Sequence, residues 1–496
     1  MSRARRRVAA GRRRPRVLYL AFFFPPSRAS GVYRPIATAN LFARRGWDTT
    51  VLTAPREFFT RYISATDESL EATVDPSIRV ERPRLTTNHM WERELDRLGT
   101  LYRHFPTAVT DLTQWYRGKT LDEFYSLWIP GALARAATLH ARRRFDLIVA
   151  TGNPFASFIA AWALGRALRV PYVLDYRDAW TLDLFEEEPA YPPEHRAWRW
   201  EQRAISGAAE SVFVNEPLRQ WHRARYPEAA DRMTVVPNGW EPDLLDGFDA
   251  ARKPAAGRPL RFGYLGTVSR KTPMEEFLAG WRQARSHPLL ADAEFHVHGH
   301  LGFFPHHRAE MEAMLGAYAE DGVVYRGPVP KAEVGAAYGG LDGLVFLAGG
   351  ARYVTSGKIF EYMGTGLPVV SAHRPGIAAA DILADYPLWF GGDGLEPERL
   401  AAALAGAAEA ARKADPAVTA AARAAAARYT REAALLPFEQ RMRRIVGAPD
   451  HPDDAAAAGS TDPDGSPSVA LPLASSAPDD RPEPGRLPQD TVDAAH

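Results

Sequence analysis

Cysteine is absent from the 496 residues, which excludes disulfides, a thiolate zinc site and a cysteine nucleophile. A chain with no thiols fits a reducing cytoplasm. Long hydrophobic runs are also missing. No segment reaches the roughly 18 apolar residues of a membrane span, and the nearest approach, Phe155 to Leu164, is cut by Arg166 and suits a buried helix. The formal net charge is only +1, so no global field advertises nucleic acid or membrane as the main partner. There is no GxGxxG, Walker loop, nucleophile elbow or His-Glu-x-x-His, and a dinucleotide-binding dehydrogenase is disfavoured.

What is present describes an ordinary globular protein, 46% hydrophobic and 24% charged, long enough for two domains plus extras. The two ends stand apart. Met1 to Arg16 carries eight arginines and no acid, whereas Pro449 to His496 holds ten acids against two arginines among many Pro, Ala and Ser. Both ends are expected to be disordered. The arginines run into Val17 to Phe24, which stops at Pro25-Pro26 without a small-residue cleavage site and reads as a first buried strand rather than an export signal. The basic arm is a candidate for weak contact with anionic lipid.

Periodicity gives two α/β series. A strand over 16–22, a helix from about Gly31 to Arg45 closed by Gly46, and a strand over 49–53 open a βαβ unit whose Gly31 turn sits where open sheets take ligands. From about Arg56 to Ile129 alternation gives way to large aromatics, among them Phe58, Phe59, Trp91, Tyr102, Phe105, Trp115, Tyr125 and Trp128. Aromatics at helical spacing point first to a cap on the core, and second to a cover over an acceptor or amphiphilic ligand. Strands over 146–151, 171–175 and 211–215 then alternate with helices over 154–168 and 194–208. After a loop-like stretch the second series begins at Leu260, and helices follow to Ala427. The expected organisation is a basic arm (1–15), a first Rossmann-like domain (16–238, with an insertion over about 56–130), a linker (239–259), a second Rossmann-like domain (260–428), a helix returning to the first (429–447) and an acidic tail (448–496).

The chain is organised around Thr355-Ser356-Gly357-Lys358-Ile359-Phe360-Glu361-Tyr362-Met363-Gly364-Thr365-Gly366. Thr355 and Ser356 are good caps, Gly357 bares backbone amides, and Gly364 and Gly366 are expected to stop the helix. A helix N-terminus with Lys358 in its first turn attracts a phosphate or diphosphate. Glu361, three residues on, suits a ribose diol. The plainer alternative is a solvated Lys358–Glu361 ion pair. Gly266 precedes two adjacent cations, Arg270 and Lys271, which either neutralise a leaving diphosphate or form surface pairs. Asp175, Arg177 and Asp178 follow a strand end and either orient a hydroxyl or shape the loop as an Asp–Arg pair. Metal binding finds little support. The one clean Asp-x-Asp, Asp462 and Asp464, lies in the acidic tail, and the alternation of His296, His298 and His300 is broken by Gly299.

Taken in order, Phe24-Pro25-Pro26…Gly31-x-x-Arg34, Thr151-Gly152-Asn153-Pro154, Asp175-x-Arg177-Asp178-x-Trp180, Pro237-Asn238-Gly239, Gly266…Arg270-Lys271, Gly327-x-Val329 and Ser356-x-Lys358-x-x-Glu361-Tyr362…Gly366-x-Pro368-Val369-Val370 resemble the retaining glycosyltransferases of family four, which have the GT-B fold. The resemblance spans about Arg16 to Val446. It implies two Rossmann-like domains facing across a cleft, a cytoplasmic and metal-independent enzyme with no cofactor, and a nucleotide-diphosphate sugar as co-substrate. The acceptor would be a glycan, a lipid-linked molecule or a small metabolite, not nucleic acid. Glu361 would bind the ribose, Arg270 and Lys271 the diphosphate, and the Ser356-Gly357-Lys358 turn further phosphate oxygens. Gly31 and Gly266 would allow close approach, with Arg34, Asn153 and Asp175 at the substrate. Two positions depart from the family. Tyr353 stands where a carboxylate is usual, and Thr151-Gly152-Asn153 stands where a histidine is often found, so Asp178 is the substitute for positioning the acceptor. A same-fold epimerase or hydrolase and a non-catalytic nucleotide-sugar module are the alternatives.

Overall fold

The computed structural model describes residues 13–63, 66–85, 104–119, 124–245, 248, 254, 257–302, 305–330, 333–349, 352–391 and 394–454. The arginines before residue 13, Trp91, Tyr102 and the Asp462/Asp464 pair lie outside these residues. So does all of the acidic tail beyond residue 454.

The first series comprises β1 (Arg16–Leu20), α1 (Tyr33–Arg44), β2 (Asp48–Leu52), β3 (Arg79–Glu81), α2 (Pro106–Lys119), α3 (Ile129–Arg142) and β4 (Leu147–Gly152). It continues through α4 (Ala156–Leu168), β5 (Tyr172–Tyr176), α5 (Arg196–Gly207), β6 (Glu210–Phe213), α6 (Glu216–Arg225) and β7 (Met233–Val235). The strands form one parallel sheet in the order β3-β2-β1-β4-β5-β6-β7. β1 shows why it is central. Val17 and Tyr19 point into one apolar layer with α1, Leu18 and Leu20 into the other with α3 to α6, as the two-residue period of a strand requires.

The second series comprises β8 (Arg261–Leu265), α7 (Met274–Ala284), β9 (Glu294–His298), α8 (Pro305–Gly316), β10 (Val323–Gly327), α9 (Val334–Gly339) and β11 (Gly343–Leu347). Then follow α10 (Lys358–Thr365), β12 (Val369–Ala372), α11 (Ala378–Leu383), β13 (Trp389–Gly391), α12 (Pro397–Lys413), α13 (Pro416–Ala427) and α14 (Arg431–Ile445). Its sheet, also parallel, runs β10-β9-β8-β11-β12-β13. In each sheet the order reverses beside the first strand of its series, and ligands bind at the carboxyl ends of strands around such a point.

The chain crosses between the lobes twice at one place. Trp240 N–H donates to Tyr429 O at 3.0 Å and Arg431 N–H to Trp240 O at 2.9 Å. Trp240 is buried against α10, where a Cβ on Gly364 would lie 2.8 Å from the indole. Gly364 therefore admits Trp240 and does not end the helix, contrary to expectation. α10 continues to Thr365 and stops at Gly366, whose φ is +72°. α14 then packs on the first lobe, with Leu435, Phe438 and Met442 entering the layer that holds α1. Glu439, fully buried, accepts from Arg45 Nε at 2.5 Å, Trp47 Nε1 at 2.7 Å and Arg443 Nε at 2.6 Å.

The described part of the aromatic stretch divides. Phe22, at the end of β1, is ringed edge-on by Phe58, Tyr125 and Trp128 at centroid distances of 5.0, 5.1 and 5.6 Å, a cap on the core. Phe105 and Trp115 are instead 61% and 60% exposed. No helix among the described residues is long and apolar enough to cross a membrane.

Candidate functional site

Four groups of side chains stand at the carboxyl ends of the strands. The first is on α10. Thr355 does not cap the helix: its hydroxyl accepts from Asn215 Nδ2 at 3.1 Å, and the same amide donates to Tyr353 O at 2.7 Å. Asn215 belongs to the first lobe, so this turn is held from across the gap. Ser356 Oγ accepts from Lys358 N–H at 3.4 Å. Lys358 is half-buried and forms no ion pair among the described residues. Burial pushes its ammonium below the usual lysine range, opposed by the nearby Glu361 carboxylate. The plainer alternative, a solvated Lys358–Glu361 pair, is not formed among the described residues. Glu361 accepts instead from the buried Tyr338 hydroxyl at 3.1 Å.

Two residues that sequence reasoning missed complete this corner. Arg431, at the second crossing, lies 2.9 Å from Glu241 and within electrostatic reach of Glu361, and its Cζ is 5.9 Å from the ring of Tyr33. Tyr33 opens α1, so residues of both lobes surround Glu361. Arg431 is out of sequence register with everything it touches, and no local pattern marks it.

The second group follows β8. Gly266 N–H donates to His298 O at 2.7 Å. Arg270 is exposed and pairs with Glu310 at 2.8 Å, while Lys271 Nζ sits 3.8 Å above the ring of Phe185 from the first lobe. These cations border a polar cavity of about 370 Å³ with Ser269, Glu310, Gly349 and Arg374. No hydrogen bond or ion pair joins Arg270 or Lys271 to Glu361 among the described residues. Lys271 O lies so close to Gly349 that a Cβ there would fall 1.3 Å away.

The third group lies in the first lobe. A Cβ on Gly31 would be 1.3 Å from Arg177 Nη1, so Gly31 is glycine to admit this guanidinium. Arg177 Nη2 donates to Asp178 at 3.0 Å and to Asn153 O at 3.5 Å, and its buried Nε has no hydrogen-bond partner among the described residues. Gly31, Asn153 and Asp178 are therefore brought together around Arg177, which forms with Asp178 the Asp–Arg pair that was the second reading of this loop.

The fourth group corrects an expectation. Arg34 and Asp175, expected at the substrate, are 4% and 2% exposed and spent on each other. Arg34 Nη2 and Nε reach Asp175 at 2.8 and 2.9 Å, and Nη1 donates to Pro237 O at 3.1 Å. The pair ties α1 to β5 and to the first crossing segment. Tyr353 also acquires a local reason, since its ring packs against the core of the first lobe. Of the three alternating histidines, His296 and His298 lie on β9 and His300 lies beyond it. Burial pushes His298 down to about 4. No group of three candidate metal ligands occurs among the described residues.

Residues 37–239 match the family model of the glycosyl transferase 4-like domain. No curated relative matches the chain. Among solved structures, sucrose-phosphate synthase from Thermosynechococcus elongatus superposes with a TM-score of 0.58 at 15% identity, covering 88% of this chain and 100% of that one. HepE from Anabaena, in complex with UDP, gives 0.56 at 15% identity, with 87% and 99% covered. An α,α-trehalose-phosphate synthase from Burkholderia vietnamiensis gives 0.55 at 15% identity, with 87% and 100% covered. At such identities these neighbours show the fold, which is GT-B.

Proposed function

We propose, for a chain that carries a glycosyl transferase 4-like domain within a GT-B fold, transfer of a glycosyl group from a nucleotide-diphosphate sugar to an acceptor hydroxyl, with retention. The observation that carries this reading is Lys358: a half-buried cation with no ion pair among the described residues, one turn from Glu361, on a helix whose N-terminus is held against the opposite lobe. A diphosphate at that turn would supply the missing counter-charge and restore the ammonium's affinity for its proton. Glu361 would take the ribose, its second oxygen being left over from the Tyr338 bond.

In the proposed step the bond between the anomeric carbon and the phosphate oxygen breaks, and Lys358 and the helix terminus stabilise the charge that collects on the leaving diphosphate. The acceptor oxygen bonds to the anomeric carbon from the same face, and its proton passes to a departing phosphate oxygen. Arg270 and Lys271 would exchange Glu310 and Phe185 for that phosphate. Asp178, half-buried beside Arg177, is the candidate to orient the acceptor. No cofactor or metal is invoked. The acceptor class stays open between glycan, lipid-linked and small-molecule hydroxyls, and the reaction is assigned to the cytoplasm.

HepE was solved with UDP, with UDP and glucose, and with UDP-glucose, so uridine donors come first in the test. Thermal shift against UDP, GDP, ADP and dTDP sugars should single out one base, since saturating ligand adds about 2.7 kcal/mol at 100 times Kd. Sugar transfer to an acceptor, lost on Lys358→Ala or Glu361→Ala, is the expected outcome. Donor consumed equally well without acceptor would favour an epimerase or hydrolase. Binding without turnover across acceptors would favour a non-catalytic module.

A further inference from the structure

Charge is segregated on the first lobe in a way the net charge of +1 hides. The helices α4, α5 and α6 form one layer over the sheet. Their outer faces and the α4 cap expose Arg166, Arg169, Arg199, Arg203, Arg223 and Arg225. None of the six forms an ion pair among the described residues, whereas exposed arginines elsewhere do, such as Arg44 with Glu432, Arg282 with Asp321 and Arg428 with Asp385. The only acids within the three helices are Glu201, fully buried, and Glu216, engaged by Arg219 at 2.7 Å. Glu194, Glu228 and Asp231 stand at the rim. The loop Asp183 to Glu188 carries four acids, Asp183, Glu186, Glu187 and Glu188, and Glu187 accepts from Arg352 N–H of the second lobe at 2.8 Å.

The same layer holds four of the lobe's tryptophans at its seams. Trp162 and Trp200 meet edge to face at 5.4 Å between α4 and α5, both partly open to solvent, with Arg166 and Arg203 lying over them at 5.7 and 5.1 Å. Trp198 and Trp221 join α5 to α6 at 6.3 Å, and Arg225 covers both, at 3.8 and 5.6 Å. Arginines with unopposed charge, lying over indoles of which Trp162, Trp200 and Trp221 are half-buried and Trp198 is buried, match the layered chemistry of a lipid headgroup region: anionic outside, amphipathic just beneath.

We propose that the α4–α5–α6 face docks the protein on an anionic membrane surface, independently of the basic arm before residue 13. The surface uses none of the residues of the proposed cleft, so it stands or falls apart from the sugar-transfer reading. Each arginine brought to an anionic surface is worth roughly fivefold in partitioning, and the attraction fades as salt shortens the Debye length below about 10 Å.

The test is flotation of the full chain with phosphatidylcholine vesicles, with and without one third phosphatidylglycerol. Binding to the anionic vesicles alone, reversed by salt, is expected. Combined Arg166→Gln, Arg199→Gln, Arg203→Gln, Arg223→Gln and Arg225→Gln should weaken it at least about tenfold while leaving the melting temperature and the nucleotide-sugar thermal shift in place. A second protein with Arg3, Arg5, Arg6, Arg7 and Arg12 changed to Gln should bind as before. Brominated lipid should quench tryptophan emission in the wild type, and less so in Trp200→Phe. No flotation, flotation retained by the five-fold face variant, flotation lost in the arm variant, or binding to duplex DNA without binding to vesicles would each overturn the proposal.

Discussion

Arg34 and Lys358 invite comparison. Each is a cation at the edge of the gap between the lobes, near the carboxyl end of a sheet, and each has been drawn out of water. Arg34 meets both oxygens of Asp175 and a backbone carbonyl, whereas Lys358 forms no ion pair among the described residues. A buried cation whose partners are all built in is part of the fold. One whose partner is withheld costs stability until something anionic arrives.

The largest effect that tests this contrast is in the closed pair. Asp175→Asn leaves Arg34 buried without a counter-charge and should cost about 3–5 kcal/mol, read as a drop of many degrees in thermal unfolding, with donor affinity of the folded fraction intact. If instead the variant melts normally and loses donor binding, Asp175 belongs to the site and the contrast fails.

Next comes Lys358→Met. Loss of a desolvated, charge-assisted contact to phosphate, about 1.5–3 kcal/mol, should cut turnover roughly ten- to hundredfold. The same change should stabilise the unliganded protein by about 0.5–1 kcal/mol. The pH dependence follows from the sign of the shift. The folded Lys358 holds its proton less tightly than the unfolded chain does, so between the lowered folded value and the ordinary lysine value the unfolded state binds more protons. Stability at this residue therefore rises with pH across that alkaline window, and the rise should vanish in the methionine variant. Equal pH slopes for both proteins would show that Lys358 is not the strained cation.

A third measurement concerns Gly31 and Arg177. Gly31→Ala must displace the guanidinium from its seat, and with Arg177→Ala in the same chain there is nothing left to displace. The cycle should be non-additive by about 1 kcal/mol in turnover or stability. Additive effects would mean that Gly31 serves an approaching substrate directly, as the sequence alone suggested.

How much of this was legible follows from what a local pattern can encode. The two parallel sheets were legible because β1, β4 and β11 are short, nearly unbroken apolar runs with helices between them. β3, β13 and α11 were not, being three- to six-residue elements whose existence depends on a neighbour's edge. At the site, Lys358 and Glu361 share a helix turn, and their spacing can be read directly. Asp175 was read as facing a substrate because it follows a strand end and Arg34 because of the family resemblance, and nothing local says that they meet each other. Thr355 looked like a cap until Asn215, 140 residues earlier, claimed its hydroxyl. Gly364 looked like a helix stop because its reason, Trp240, is a tertiary one.

The smallest expected effect returns to the other cations. Arg270 and Glu310 are both well exposed, and their 2.8 Å pair should be worth under about 1 kcal/mol. Glu310→Ala is thus expected to leave unfolding nearly unchanged. If Arg270 must leave Glu310 to reach a diphosphate, removing the acid removes a competitor, and donor affinity should improve a fewfold, most visibly at low salt. Arg270→Ala in the Glu310→Ala background should abolish that gain. Should Glu310→Ala weaken the donor instead, the pair itself shapes the pocket, and Arg270 stands with Arg34 on the structural side of the comparison.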